Sequence, residues 1–83
     1  MGEIIFESRK YKKVDRIAKA GDLVVFTNVE GKPFSYTKDN KPYEVYEDEN
    51  GVLRYKNDNP YGGNMVYGWN FSCPNPDIYE LIE

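Results

Sequence analysis

The sequence predicts a mainly β protein, a small curled antiparallel sheet or barrel of five to six short strands. Eight tyrosines and an aromatic content of 16% favour pleated, half-buried positions. Short apolar stretches recur at roughly ten-residue spacing, separated by Gly, Pro, Asn and Asp. With 83 residues, the chain is expected to form a single domain, residues 1–83, with a small core.

The first twenty residues contain one clear strand and one ambiguous segment. EIIFE, Glu3 to Glu7, is typical of a short strand. Residues 9–20 fit a short helix, because Tyr11, Val14 and Ala18 fall at helical spacing. They also fit a strand, because KKVDRI alternates between polar and apolar residues. The choice between helix and strand stays open at this level.

The stretch after Gly21-Asp22 predicts a strong strand, Leu23 to Val29, with apolar side chains on both faces. Such a strand is buried on both sides or lies where a small sheet curls over itself. Ile78 to Ile82 predicts a short final strand.

The stretch from Lys41 to Asn57, KPYEVYEDENGVLRYKN, predicts a β-hairpin, and its residue pattern selects one register. A two-residue turn at Asn50-Gly51 would mix apolar and charged side chains on both faces. A three-residue turn that ends with Gly51 in the left-handed region, forming a bulge, separates them. This register pairs Asp48 with Val52, places Tyr43 and Val45 on the face of Leu53 and Tyr55, and sets Glu44 opposite Lys56 and Tyr46 opposite Arg54.

The stretch MVYGWNF, Met65 to Phe71, predicts another strand, with a bulge or a close backbone approach at Gly68. Which face of this strand is exposed stays open. Composition favours a core face made of Met65, Tyr67 and Trp69, with Val66, Gly68 and Asn70 outside.

Residue types that carry catalysis or metal binding are scarce. The chain has no histidine, which removes the commonest general base, metal ligand and pH switch. Its single cysteine, Cys73, has no histidine to activate it and is interpreted as a buried or incidental thiol. The acids at residues 47–49 lack the spacing of a calcium loop. We therefore predict a protein that is not an enzyme, with no catalytic residues, no metal and no cofactor.

Charge is unevenly distributed along the chain, although the net charge is only −3. Arg9 to Lys19 carries six bases and one acid, whereas the remainder carries five bases and thirteen acids. A basic segment that contains an aromatic ring can grip a phosphate backbone and stack on a base. The alternative is a solvated edge strand or helix face whose lysines discourage edge-to-edge pairing. The candidates for nucleic-acid binding are Lys10, Tyr11, Lys12, Lys13 and Arg16.

A tyrosine-rich acidic surface is the candidate for protein binding. Tyr46 is expected to point outward in the bulged register, and Tyr61 lies in a turn. Tyr67 and Trp69 join them if the Met65 face of their strand is exposed, because aromatic anchors with few lysines are typical of protein interfaces. The protein-binding candidates are therefore Tyr46, Tyr61, Tyr67 and Trp69.

One run of residues resembles a known group of proteins. VDRIAKAGDLVVFTN, Val14 to Asn28, followed by Tyr43-Glu44-Val45 and the tail DIYELIE, is similar to small proteins encoded by phages and prophages of Gram-positive bacteria. This resemblance implies an SH3-like barrel and a viral or prophage origin, and it implies no enzymatic activity. The segment MVYGWNFSCPNP has no counterpart in that pattern.

The sequence also predicts a location and a class of partner. No apolar run reaches the ~20 residues needed to span a bilayer, and MGEIIFESRK is not a signal peptide, so we expect a cytoplasmic protein with no membrane partner. The leading hypothesis is a phage or prophage accessory protein that binds a host protein, as an inhibitor of a defence system or a regulator of a host machine. The alternatives are a small nucleic-acid-binding barrel that uses the basic N-terminal face, and a homo-oligomeric structural protein joined through exposed strand edges.

Overall fold

The computed structural model describes residues 2–27, 36–59, 63–66 and 76–82. No helix occurs in these segments. Their strands are β1 (Glu3–Phe6), β2 (Arg9–Val14), β3 (Leu23–Val25), β4 (Pro42–Glu47), β5 (Leu53–Lys56), β6 (Gly63–Met65) and β7 (Asp77–Leu81).

All seven strands join one sheet in the order β1-β2-β7-β3-β4-β5-β6, and every neighbouring pair is antiparallel. The last strand of the chain, β7, therefore lies between β2 and β3. Across the described ranges β1 and β6 are the two edges, and no pairing joins them. The mainly β, antiparallel class is confirmed, with seven strands in the described residues where the pattern predicted five to six for the chain. The SH3-like barrel stays a prediction, because the described strands form an open sheet.

The ambiguous residues 9–20 begin as a strand, so the helical interpretation is wrong. β2 pairs with β1 on one side and with β7 on the other. This pairing imposes a two-residue alternation, in which Tyr11 is buried while Lys10 and Lys12 are exposed. Turns follow Val14 instead of a helix.

A two-residue turn joins β1 to β2. Its residues, Glu7 and Ser8, have φ angles of 50° and 67°. Positive φ at both central positions is the geometry of a type I′ turn, whose twist matches that of the flanking strands. The sequence contains no Asn-Gly or Asp-Gly signal at this point, and for that reason the hairpin was not predicted.

The β4–β5 hairpin adopts the predicted bulged register. Val45 pairs with Tyr55 and Tyr46 with Arg54. The Asp48 amide donates to the Val52 carbonyl at 3.0 Å, and Gly51 has a φ of 79°. The segregation of apolar and charged faces therefore selected the correct register.

The core lies on one face of the curled sheet. Phe26, directly after β3, packs against Tyr55 of β5 with ring centroids 5.0 Å apart. Because β4 separates these strands, a flat sheet would hold them ~10 Å apart, and the contact requires curvature. The Tyr55 hydroxyl shares a hydrogen bond of 2.7 Å with Thr37 and accepts one of 3.1 Å from Asn64. The buried residues of the core are Ala18, Val24, Phe26, Tyr43, Val45, Tyr55, Val66 and Ile78.

The opposite face of the sheet also buries apolar side chains. Leu23 is fully buried there, whereas its neighbour Val24 points into the core. Tyr11 is only 6% exposed and meets Phe6 edge-on. Phe6 borders a cleft that also contains Pro42 of β4, so the tip of the β1–β2 hairpin reaches across this face. The predicted burial of both faces of the strand that begins at Leu23 is confirmed at Leu23, Val24 and Phe26, although β3 ends at residue 25. Residues 28 and 29 of the predicted strand lie outside the described residues.

Composition favoured Met65 as a core residue and Val66 as an outward-facing one. This assignment is wrong at these two residues, which the structure describes. Val66 is 2% exposed, whereas Met65 is 40% exposed. The reason is register: Tyr55 pairs with Asn64, and the Val66 amide donates to the Leu53 carbonyl at 3.2 Å. Residues 64 and 66 therefore share the core face with Tyr55. Tyr67 and Trp69, like Tyr61, lie outside the described residues.

Candidate functional site

A row of three side chains crosses the outer face of β4, β5 and β6, the face opposite the core. Tyr46 pairs with Arg54, and Arg54 pairs with Met65. Directly paired residues of antiparallel strands project to the same face. We call Tyr46, Arg54 and Met65 the cross-strand row. The outward direction predicted for Tyr46 is therefore correct, and its side chain is half-buried.

Arg54 is held in place at the centre of the cross-strand row. Its Nε donates to Asp48 Oδ2 at 2.7 Å, and its Nη1 donates to the Gly63 carbonyl at 3.2 Å. The hydrogen bond from Arg54, together with the Val52 amide, lowers the pKa of Asp48. Because its geometry is preset, Arg54 loses less side-chain entropy when a partner contacts it.

Tyr46 lies against the backbone of Gly63. A Cβ atom on Gly63 would overlap the Tyr46 hydroxyl oxygen, so any residue with a side chain at position 63 would force the ring to move. The ring is thus supported by β6 from one side while its position on the outer face keeps part of it exposed.

The basic N-terminal run is divided between the two faces of the sheet. Lys10 and Lys12 project to one face, and Lys13 projects to the other, because side chains alternate along β2. Tyr11 is buried and packs on Phe6, so its ring is not available to stack on a base. The residues proposed for nucleic-acid binding therefore do not form one surface.

Acids neutralise much of the same run. Arg16 donates to Asp22 at 2.8 and 3.2 Å and to Glu80 at 2.6 Å, and its hydrogen bond lowers the pKa of Glu80. Lys13 lies 3.6 Å from Asp77. Lys12 pairs across the sheet with Glu3 on one side and with Glu80 on the other. A phosphate that approached these bases would meet carboxylates at close range.

A cleft of about 710 Å³ lies beside this cluster. Among the described residues, two bases and two acids contribute to its wall, so their charges cancel. Arg16 is already bonded to two carboxylates, which leaves no base in the wall without a nearby acid. The lining residues are Lys13, Val14, Asp15, Arg16, Ile17, Pro76, Asp77 and Ile78.

A second polar cluster surrounds Tyr43 at the edge of the core. Its hydroxyl accepts from the Lys38 amide at 2.8 Å and donates to Asp58 at 3.0 Å. Burial, followed by the bond to Asp58, raises the pKa of Tyr43 to about 12. Lys41 forms an ion pair with Asp58 and lies over the Tyr43 ring, 5.4 Å from its centroid. These contacts tie residues 36–41 to the sheet.

The described residues contain neither a metal-binding cluster nor a membrane-spanning helix. No three His, Cys, Asp or Glu side chains there come together as a metal would require. No helix in the described ranges is long and apolar enough to cross a membrane.

Sequence reasoning identified one member of the cross-strand row, Tyr46, as a site residue. The predicted hairpin register already placed Arg54 opposite it, and that signal was sufficient to include Arg54. Met65 could not be added, because its position depends on the pairing of β5 with β6, and the sequence between these two strands has no pattern that predicts their register.

Comparison with known proteins adds no relative. The chain matches no protein-family model, no curated protein and no solved structure.

Proposed function

We propose that the protein is a non-enzymatic binding module whose cross-strand row contacts a partner protein. The observation that carries this proposal is the row itself, Tyr46-Arg54-Met65, on the outer face of the sheet. Tyr, Arg and Met are enriched at the cores of protein interfaces, and Tyr and Arg dominate their binding energy.

The preset geometry of the row supports the same proposal. Asp48 and the Gly63 carbonyl hold Arg54, and Gly63 supports the Tyr46 ring. Met65 is 40% exposed and adds a flexible apolar surface beside them. A row whose arginine is already ordered loses less conformational entropy on binding than a row of three mobile side chains would.

We further propose that the partner is a host protein and that the chain is a cytoplasmic phage or prophage accessory protein. The resemblance of Val14 to Asn28 to small phage and prophage proteins supports this origin. Inhibition of a defence system and regulation of a host machine are the two roles that such an origin favours.

The proposal is tested by affinity capture from bacterial lysate, with and without nuclease, followed by elution in a salt gradient. The variant is Met65→Lys, and the matched control is Ile17→Lys, which changes another exposed side chain by the same charge. We expect one stoichiometric protein that survives nuclease, elutes late, is lost with M65K and is kept with I17K. An aromatic-anchored contact weakens less with salt than backbone binding to nucleic acid does.

Other outcomes contradict the proposal. Nucleic acid that elutes early and disappears with nuclease would favour the nucleic-acid-binding alternative. A purified protein that sediments as an oligomer and captures nothing would favour the homo-oligomeric alternative. A captured protein that binds M65K as well as the unchanged chain would show that the cross-strand row is not the contact surface.

A further inference from the structure

Strand β1 is an edge of the sheet, and its outer side is paired with no described strand. It lies first in the strand order and pairs only with β2. An open edge presents unpaired N–H and C=O groups that another strand can bind.

The register identifies which backbone groups face outward. The Lys13 amide donates to the Gly2 carbonyl, so these two residues form a hydrogen-bonded pair. Hydrogen-bonded pairs alternate along an antiparallel ladder, so Ile4 and Phe6 also direct their backbone groups to β2. Glu3 and Ile5 therefore direct theirs to the open side.

The edge has little protection against strand addition. β1, with the sequence EIIF, carries no lysine, proline or bulge, and its protection is limited to its short length and the charge of Glu3. The lysines that were expected to protect an edge belong to β2, which lies inside the sheet. The side chain of Ile5 is 67% exposed on this edge.

We propose that the open side of β1 binds an extended segment of a partner protein, which adds to the sheet as an antiparallel strand. The segment carries an apolar residue opposite Ile5 and a base two positions to each side. Backbone hydrogen bonds to Glu3 and Ile5 provide affinity, and the side chains provide specificity.

Charge selects a basic partner. Glu3 and Glu7 lie two residues to either side of Ile5, and neither forms an ion pair within the described ranges. A base on the added strand would lie one strand spacing, ~4.8 Å, from Glu3. Lys12 lies on the far side of Glu3, ~10 Å from the added strand, and Glu80 lies beyond it. A base placed opposite Glu3 would therefore extend a row of alternating charges across three strands.

The same charges disfavour a second copy of this chain. If two β1 strands paired with Ile5 opposite Ile5, Glu3 of each copy would lie near the turn residue Glu7 of the other, and like charges brought close together repel. A shift by two residues would put each Ile5 opposite a Glu3 and lose the contact between the two exposed Ile5 side chains, although Ile4 would then lie opposite Ile4 on the other face. The edge fits a basic strand better than it fits itself.

The surface on β1 is separate from the cross-strand row on β4, β5 and β6, so this inference stands without the proposed function. It is tested with a fluorescein-labelled, amidated peptide whose binding sequence is Lys-Thr-Val-Thr-Lys. One control peptide has glutamate in place of both lysines. Two others carry a single N-methyl group, on the central Val, whose amide faces β1, or on a Thr, whose amide faces away.

We expect saturable binding of the lysine peptide, at least about tenfold weaker with the glutamate peptide and with N-methyl-Val, and unchanged with N-methyl-Thr. Ile5→Lys is expected to weaken binding by a similar factor, while Ile17→Lys, with the same added charge on another exposed isoleucine, leaves it unchanged. On binding, hydrogen exchange should slow at the Glu3 and Ile5 amides but not at those of Ile4 and Phe6, which are already bonded to β2.

Three results would overturn the inference. They are the absence of saturable binding, equal binding of the lysine and glutamate peptides, and a concentration-dependent dimer that I5K abolishes. M65K leaves the β1 edge intact and should still bind the peptide. Peptide binding by the unchanged chain, together with a failed lysate capture by the same unchanged chain, would contradict the proposed function alone. Lysate capture that depends on Met65 together with a failed peptide titration would contradict the edge proposal alone.

Discussion

Met65 and Val66 are adjacent in sequence but occupy opposite environments. Val66 is 2% exposed and belongs to the core, whereas Met65 is 40% exposed in the cross-strand row. The larger and more flexible side chain is outside, against the expectation from composition. Its position follows from the pairing of Arg54 with Met65, which leaves Val66 on the side of Tyr55.

Alanine substitutions separate these two environments. Val66→Ala should lower the free energy of unfolding by about 2 kcal/mol, because it removes buried methyl groups and leaves a cavity. Met65→Ala should change it by less than about 1 kcal/mol, because the side chain is already exposed. Chemical denaturation of both variants measures the difference. Equal losses would mean that Met65 is also packed in the core.

Gly63 and Tyr46 are coupled through direct contact. Gly63→Ala should cost about 1 kcal/mol, because the new Cβ forces the Tyr46 ring from its place. In a Tyr46→Ala background the same substitution should cost less, because the obstructing ring is gone. A double-mutant cycle by chemical denaturation gives the coupling energy. A coupling energy of zero would mean that the Tyr46 ring does not contact Gly63.

Two hairpins shape the sheet, and their turns differ in how well their residues suit the positive φ angles that they adopt. The β4–β5 turn has Gly51 where a positive φ is needed, and Asp48 accepts from the amides of Asn50 and Val52 at 2.9 Å. The β1–β2 turn places Glu7 and Ser8, which both carry side chains, in the left-handed region. Left-handed backbone costs such residues roughly 1–2 kcal/mol each.

The strain in the β1–β2 turn predicts a stabilising substitution. Ser8→Gly should raise the free energy of unfolding by about 1 kcal/mol, because glycine adopts a φ of 67° without a steric penalty. Ser8→Ala is the control and should not stabilise, since alanine retains the Cβ. Thermal or chemical denaturation compares the two. A gain with alanine equal to that with glycine would refute the type I′ assignment.

The β4–β5 turn predicts a pH dependence. The pKa of Asp48 lies below its ordinary value of 3.8, because Arg54 and the Val52 amide bind its ionised form. A lowered pKa in the folded state gives stability that is present above the ordinary value and is lost as the pH falls through the folded value. Asp48→Asn should therefore be less stable at neutral pH and should lose less stability on acidification.

Glu49→Gln is the matched control for this titration, because Glu49 is an exposed acid in the same turn. Denaturation midpoints measured from neutral pH to about pH 3 should coincide for E49Q and the unchanged chain. If D48N and E49Q had the same acid dependence, the ion pair with Arg54 would contribute nothing to folding.

The position of β7 organises the whole molecule. It is the last strand in sequence, and it pairs with β2 on one side and with β3 on the other. Ile78 enters the core from this strand, and Glu80 binds Arg16 in the loop between β2 and β3. The β1–β2 hairpin is therefore attached to the rest of the sheet through β7.

Two isoleucines near the end of the chain test this central role. Ile78 is 5% exposed, and Ile78→Ala should cost about 3 kcal/mol. Ile82 is 43% exposed, and its backbone amide donates to the Lys10 carbonyl, a bond that alanine keeps, so Ile82→Ala should cost less than about 1 kcal/mol. Chemical denaturation checks both values. A small effect at Ile78 would mean that β7 packs loosely against the core.

The candidate site was predictable only in part. Tyr46 was predicted to point outward and does so, because alternation within one hairpin decides its direction. Tyr11 was predicted as a stacking residue and is buried, because the rest of the hairpin packs Phe6 over it. Arg16 was a candidate for nucleic-acid binding, and in the fold its guanidinium binds Asp22 and Glu80. Ion pairs across the fold are not visible in the local charge pattern.

The sequence by itself determined the β class, most of the strands and the register of the β4–β5 hairpin. These depend on side-chain period and turn chemistry, which act between residues close along the chain. Only the tertiary structure decided that β7 is central, that Lys10 to Lys13 lie inside the sheet and that Met65 faces outward. Each of these depends on which distant strands pair, and pairing is set by the burial of the whole sheet rather than by any one segment.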